Sequence, residues 1–291
     1  MSFLRGFASI LAACCAPLAG HVEAAHGVFT HGFGARSSGA GGVAYATGED
    51  AYVLAANPAL AWSLGERWDL GMEVIDVRPG GSIENNLLGP DREYESGKRF
   101  FFIPQFGFTT RLTDHVWAGS SAYAAGFGTD YHENPYARFG ASPRGGANLG
   151  QIGLCNALAF SPWADHAFGI GLNTVYEILE VKGLDVFTAF SESPDRFTNQ
   201  GKDGAFGVGG VVGWHGRLLP WLEAGLAYRS KTWTQRFEEY EGLLPDRGRL
   251  ELPAVYGGGI AITPLTDWTI ALDVQRYLYA SESTTGNRLE A

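Results

Sequence analysis

The residue types that could do chemistry gather early in the chain, in a glycine array formed by Gly32, Gly34, Gly39, Gly41 and Gly42. A Glu49-Asp50-Ala51 step and then Asn57-Pro58-Ala59 follow it. A phosphate-binding loop is the first chemistry to test. It needs Gly-x4-Gly followed by Lys and a hydroxyl residue, but Gly34 to Gly39 is followed by Ala40, so the phosphate-binding ammonium is missing. A dinucleotide fingerprint needs a third glycine where Ser37 stands, and a strand before it. Zinc would want histidines close together. His26 and His31 are five apart, and His115, His132, His166 and His215 are scattered beside expected turns or loops, so they read as surface or loop histidines and no metal ligand set is assigned. There is no Gly-x-Ser-x-Gly nucleophile elbow. No catalytic residue and no cofactor is expected, and the chain reads as a non-enzyme.

The elements that would position these residues are strands. Met1 to Arg5 form a short basic end, Gly6 to Gly20 an apolar run, and Val22-Glu23-Ala24 a small-residue cleavage pattern, so residues 1–24 read as a signal peptide of an exported protein. Cys14 in Leu11-Ala12-Ala13-Cys14 offers a rival lipidation site. Cleavage after Ala24 would leave Cys155 as the sole cysteine, which excludes an internal disulfide. The net charge of -10 argues against nucleic acid as a partner. With 41 glycines, 13% aromatic residues and only 18% charged ones, the composition favours strands and tight turns over long helices. No stretch after the signal suits a transmembrane helix, so a place in a membrane would require a barrel.

Period-two alternation supports that. Trp68, Leu70, Met72 and Val74 oppose Asp69, Gly71 and Glu73, and Phe206, Val208, Val212 and Trp214 oppose Gly207, Gly209 and Gly213. The same rhythm runs through Leu222 to Arg229 and Trp268 to Gln275, and further strands are expected over Phe100–Arg111, Val116–Phe127, Gln151–Phe160, Ala167–Val181 and Leu252–Ile262. Short connections are expected at Leu112–His115, Ser161–Asp165, His215–Pro220 and Thr263–Asp267. They alternate with long polar ones near Arg78–Arg99, Thr129–Gly150, Lys182–Asp203 and Thr232–Glu251. Strict alternation of short and long is the wiring of an outer-membrane barrel, whereas a soluble sandwich has no reason to sort its loops. Trp68, Trp117, Trp163, Trp214, Trp221 and Trp268 all fall near the short-turn ends, as an interfacial girdle would. The fold class is therefore all-β, an antiparallel transmembrane β-barrel with about nine strands present. Nine is odd and a single-chain barrel of this kind closes with an even number, so the expectation is a chain truncated at its C-terminal side, or one that closes by a pairing the pattern does not reveal.

The array with its Glu49-Asp50-Ala51 and Asn57-Pro58-Ala59 steps resembles the N-terminal plug of the outer-membrane long-chain fatty-acid and hydrocarbon transporters, the FadL/TodX group. The resemblance continues through Phe102-Ile103-Pro104-Gln105-Phe106-Gly107, Gly128-Thr129-Asp130-Tyr131 and Leu272-Asp273-Val274-Gln275-Arg276. Members have fourteen strands and continue past the point matching Asn287. The resemblance implies a division into signal peptide (1–24), hatch inside the barrel (25–64) and barrel wall (65–291). Gly32, Gly34, Gly39, Gly41, Gly42, Asp50, Asn57, Pro58 and Ala59 would be the hatch and gating residues. It implies uptake of a hydrophobic small molecule by capture at outer loops and sideways release into the outer-membrane lipid beside a kinked third strand, here with Gly119, Gly126 and Gly128 as points of weakness. Phe187, Phe190, Leu243 and Leu244 are apolar residues in polar loops, so they are candidate capture contacts, with packing against the rim as the alternative. A monomer inserted by the barrel-assembly machinery is expected. The competing reading is a general porin for small polar solutes.

Overall fold

The computed structural model describes residues 29–84 and 92–286. The signal segment 1–24 with Cys14, and the terminal Arg288-Leu289-Glu290-Ala291 stretch, lie outside the described residues. After β1 (Arg67–Asp76), a small hairpin of β2 (Gly80–Ile83) and β3 (Arg92–Glu95) stands apart as its own sheet. The main sheet continues with β4 (Phe100–Arg111), β5 (Val116–Gly128), β6 (Gly146–Trp163), β7 (His166–Lys182), β8 (Asp203–Leu219), β9 (Leu222–Arg229), the two-residue β10 (Trp233–Thr234), β11 (Val255–Leu265) and β12 (Trp268–Tyr277). Its order is β1-β4-β5-β6-β7-β8-β9-β11-β12, every pair antiparallel, with β10 on β8. These nine strands are the nine that alternation predicts. β1 and β12 are the two edges of the path.

The strand boundaries differ from the expectation. β6, β7 and β8 run 18, 17 and 17 residues, well past the ~10 that a hydrocarbon layer requires. At the other end the turns contract to Ala164-Asp165, Pro220-Trp221 and Thr266-Asp267, because β6, β8 and β11 continue through register shifts at Phe160/Trp163, Arg217/Leu219 and Ile262/Leu265. Pro162 and Pro264 sit inside two of those shifts, where a residue without an N–H costs no ladder bond. The third long connection keeps its place, and the fourth contains β10, which continues β9 after one extra residue: Arg229 pairs Val211, and Trp233 pairs Val208. Gly209 and Gly210 face that bulge, and Ser230 bonds Gly210 at both its N–H and its C=O.

The face directed outward is largely apolar, with Ser120 of β5 bonded to Asn156 of β6 as a polar exception. Leu70 is 81% exposed, and Met72, Val74, Ile152, Ile170, Val212, Leu226, Leu272 and Val274 stand out with it. Trp68, Trp163, Trp221 and Trp268 are exposed at the short-turn end, and Trp214 stacks on His166 there. Trp117 departs from the expected girdle. It shares the inward phase of Gly119 and packs with Leu54, Ala61, Ala157 and Ala159. No helix of the described residues is long and apolar enough to cross a membrane, which says nothing about strands.

Candidate functional site

Residues 44–61 are the most buried part of the molecule, with Ala46, Ala51, Leu54, Asn57, Ala59, Leu60 and Ala61 all at 0% exposure. The local structure follows from capping residues. The Asp50 carboxylate accepts the Tyr52 N–H at 3.2 Å and starts a 3-10 turn over Ala51–Ala55. Asn57 accepts the Ala59 N–H at 3.1 Å, and Pro58 occupies the first position of the next turn, Pro58–Leu60, where it gives up no bond. Gly65, at φ +72, ends the helical turn Ala61–Leu64 and releases the chain into β1.

This segment touches all nine strands. Asp69 of β1 accepts the Ala51 N–H at 2.9 Å and is itself held by Arg67 through two bonds of 2.7 Å. Asp273 of β12 accepts the Ala44 and Tyr45 N–H groups at 2.6 and 3.1 Å, and the Tyr45 hydroxyl reaches Gln275. On β8, Asn57 Nδ2 donates to Tyr45 O at 2.7 Å and to Trp214 O at 3.1 Å, while His215 Nε2 meets Ala46 O at 2.9 Å. Cys155 of β6 donates its thiol to Leu54 O at 3.6 Å. The other strands approach through glycine. A Cβ at Gly107 (β4) would lie 2.8 Å from Ala51 Cβ and one at Gly119 (β5) 2.6 Å from Leu54 Cδ1. At Gly169 (β7), Gly213 (β8) and Gly225 (β9) it would collide with Ala59, Asn57 and Tyr45. Gly257 (β11) lies under the Tyr45 ring.

These contacts fix the shape of the wall. Nine strands laid flat span about 40 Å, but Asp69 and Asp273, at opposite edges, both bind within residues 44–51, a stretch that reaches at most about 25 Å. The sheet is curled around the segment as a half-barrel.

Of the array glycines, three meet neighbours that leave no room for a side chain, and Gly41 is held at φ +82, where a side chain is strained whatever the space. Gly34, at φ +90, lies against the Tyr52 ring, Gly42, at φ +89, lies against the His31 carbonyl, and Gly32 faces Ser37 Oγ. Gly39 and Gly41 face open space. Burial raises the carboxyl of Asp50 above its ordinary range, opposed in part by the Tyr52 N–H. His215 departs from the expectation: it lies on β8 rather than in a turn, is fully buried, and stands 3.7 Å from Glu223. What the sequence reading missed is this wall-side set, namely Asp69, Asp273, His215 and the inward glycines of β1 to β11. Its signal was present, since glycine recurs on the polar face of successive strands.

A second feature is a gap in the wall. β4 and β5 pair only from Arg111↔Trp117 to Phe106↔Ala122, whereas β5 stays paired with β6 along its whole length. Beyond Ala122 the two part, and an apolar cavity of about 790 Å³ opens between them, lined by Phe102, Pro104, Ala124, Phe127, Ile152 and Ile178 among others. Pro104 has no N–H to offer across the gap. Tyr123 lies over Gly153 and bonds Asn173 Oδ1 on β7 at 2.8 Å, which ties β5 to the β6 side. Gly126, at φ +138, turns where any Cβ would meet the Leu149 carbonyl. Gly128 borders the gap beside Lys98, whose ammonium bonds Asn148 Oδ1 at 2.6 Å. Gly119 lies apart from the gap, in the paired half against Leu54.

The four loop residues do not form one surface. Phe187 packs edge-on against Tyr136, with ring centroids 5.0 Å apart, and Phe190 is 87% exposed. Leu243 and Leu244 pack on Leu149, Leu179, Val181, Ala205, Phe237 and Tyr240.

No family model matches the chain, and no curated protein does. Solved structures do. The toluene transporter TodX of P. putida matches over 86% of this chain and 71% of its own, at 17% identity and a TM-score of 0.69. The toluene transporter TbuX of Ralstonia pickettii matches over 86% and 73%, at 19% identity and 0.65. A Pseudomonas aeruginosa FadL homologue matches over 81% and 66%, at 14% identity and 0.57. The chain therefore has the fold of these toluene transporters and of the FadL homologue.

Proposed function

We propose that this chain carries small hydrophobic compounds across an outer membrane, with residues 29–64 as a plug and the β4–β5 gap as a sideways exit into lipid. The observation that carries the reading is the pairing of a buried segment that touches all nine strands with an apolar opening in the wall. In this reading residues 44–61 obstruct a straight aqueous path, while the 790 Å³ cavity at the gap offers apolar surface. An apolar solute gains from leaving water for such a lining at roughly 25 cal/mol per Å². The outward face suits hydrocarbon for the same reason, since a surface that exposes Leu70, Met72, Ile170 and Leu272 together would not stay dispersed in water. The neighbours carry the same implication: TodX and TbuX are described as toluene transporters, and a TodX variant as a monoaromatic hydrocarbon channel. Insertion as a monomer by the barrel-assembly machinery, export by the N-terminal signal and a non-enzymatic role belong to the same proposal.

The test is reconstitution of the full chain into proteoliposomes. Uptake of a labelled hydrophobic compound should exceed that of protein-free vesicles, and swelling in iso-osmotic sugar should not. Sugar-driven swelling without hydrophobic uptake would replace the reading with a polar porin.

A further inference from the structure

Every lysine of the chain but Lys231 borders one polar cavity of about 540 Å³ at the long-loop end of β6 and β7. The chain carries a net charge of -10, yet Lys98 from just before β4, Lys182 from the end of β7 and Lys202 from just before β8 meet here. We propose that this cavity binds the phosphate of an acidic membrane lipid, whose chains lie along the outward face of the wall beside the β4–β5 gap.

The charge is not balanced from within. Lys182 is paired with Glu180 at 3.1 Å, but neither Lys98 nor Lys202 is in an ion pair among the described residues. Lys98 Nζ donates to Asn148 Oδ1 at 2.6 Å, and Asn148 Nδ2 is spent on Thr129 O at 3.1 Å, so this amide fixes the ammonium without neutralising it. The other acid in the lining is Asp130. Three ammoniums against the carboxylates of Glu180 and Asp130 leave an excess of one positive charge, before His132 is counted. A lipid phosphate with no cation of its own matches that excess, whereas a zwitterionic headgroup brings a further cation to a site that already has three. Burial, and after it the Lys202 and Lys182 ammoniums, hold the Lys98 ammonium below its ordinary range, with Glu180 and Asp130 opposing them. A bound anion offsets both costs.

Position favours a lipid over free phosphate. The even-numbered residues of β6 and β7 share the outward face, where Ile152 is 58% exposed and Ile178 stands out beside it. Along that face the register places Gly146 opposite Lys182, Asn148 opposite Glu180, Gly150 opposite Ile178 and Ile152 opposite Tyr176. Charged rungs therefore give way to apolar ones within a two-residue step of about 7 Å, as a lipid does between its phosphate and its acyl chains. Lys98, Gly150 and Ile178 line both this cavity and the one at the gap, so a lipid held here lies against the lip of the opening. The lipid-facing orientation rests on the membrane reading above, while the phosphate site rests on the lysines.

The test is native mass spectrometry of the full chain, released from detergent micelles that contain equimolar phosphatidylglycerol and phosphatidylcholine, alongside uptake of a hydrophobic compound by proteoliposomes. Wild type should retain phosphatidylglycerol in preference. Lys202 is exposed, so Lys202→Gln tests the site without risk to folding and should weaken retention about fivefold, and Lys98→Gln combined with it about 30-fold. Lys231→Gln removes the same charge elsewhere and should leave retention unchanged. Equal retention of the two lipids by wild type overturns the site, as does full retention in both glutamine variants or an equal loss in Lys231→Gln. Displacement of the lipid by its deacylated headgroup, glycerophosphoglycerol, overturns the lipid assignment in favour of a free phosphate site. If uptake persists while the lipid preference is absent, the site falls alone. If the preference and its lysine dependence are found without uptake, the transport reading falls and the site stands.

Discussion

Replacing Asn57 by Ala should release the plug. The Asn57 side chain is fully buried and makes three bonds: from Nδ2 to Tyr45 O and Trp214 O, and to Oδ1 from the Ala59 N–H. One bond organises the turn, one ties the turn to the bend at Tyr45 before it, and one ties both to β8. Each is worth about 1 kcal/mol net, and no water reaches a site with 0% exposure to replace them, so the loss sums to about 3 to 4 kcal/mol. If the segment opens as a unit, its amides should exchange about 150- to 900-fold faster in the variant. Hydrogen exchange by mass spectrometry on peptides spanning 44–61, in micelles, reads this directly, with peptides of β6 and β7 as the reference for global stability. Asn57→Asp retains the bond to Ala59 but turns a second carboxylate oxygen toward two carbonyls, so it should be no better than Ala. Unchanged exchange over 44–61 in Asn57→Ala, with the strands still protected, would refute the view that this side chain fastens the segment to the wall.

Gly213→Val puts carbon where Asn57 Oδ1 and Pro58 Cδ already sit, and should loosen the same segment by about 1 to 3 kcal/mol, seen as faster proteolysis within 29–64. Burial raises the Asp50 carboxyl in the docked state, so that state binds its proton more tightly than the free chain does. Docking should therefore be firmest at acid pH and weaken as pH rises from the ordinary carboxylate range through the raised value. Asp50→Asn should flatten that profile in the exchange experiment, and an unaltered profile would assign the effect to another group. Gly126→Ala forces a side chain into a φ of +138 and against the Leu149 carbonyl, so β5 must shift. Uptake of a hydrophobic solute should change several-fold while docking of 44–61 does not, and simultaneous loss of both would mean the variant had disturbed the whole wall.

Much of the wall was legible because lipid-facing alternation has a short period: Trp68, Leu70 and Met72 announce their side of the sheet one residue at a time. The ends of strands were not. β6 continues through Ser161 and Pro162 because a bulge absorbs the proline, and local propensity does not reveal a bulge that a partner strand makes tolerable. His215 reads as a turn residue beside Gly216, yet the buried carbonyl of Ala46, 169 positions away, gives it a partner. Asn57-Pro58-Ala59 was visible as a motif, but its strand-side complement was not, because Gly107, Gly119, Gly169, Gly213 and Gly225 belong to five strands and acquire common meaning only when curled about one segment. The four apolar loop residues, Phe187, Phe190, Leu243 and Leu244, were legible as apolar, but their surroundings were not: Leu243 and Leu244 pack on the loop core, Phe187 meets Tyr136 from another connection, and Phe190 is exposed.

The nine-strand contact set also bears on how the molecule is made. A clearance too tight for a methyl group at five of the nine strands leaves residues 44–61 no room to slide along the wall once the strands have zipped together. The leading segment would then be a mandrel, in place first, about which each new hairpin is wound, so that its sequence sets the radius of the cylinder as well as closing it.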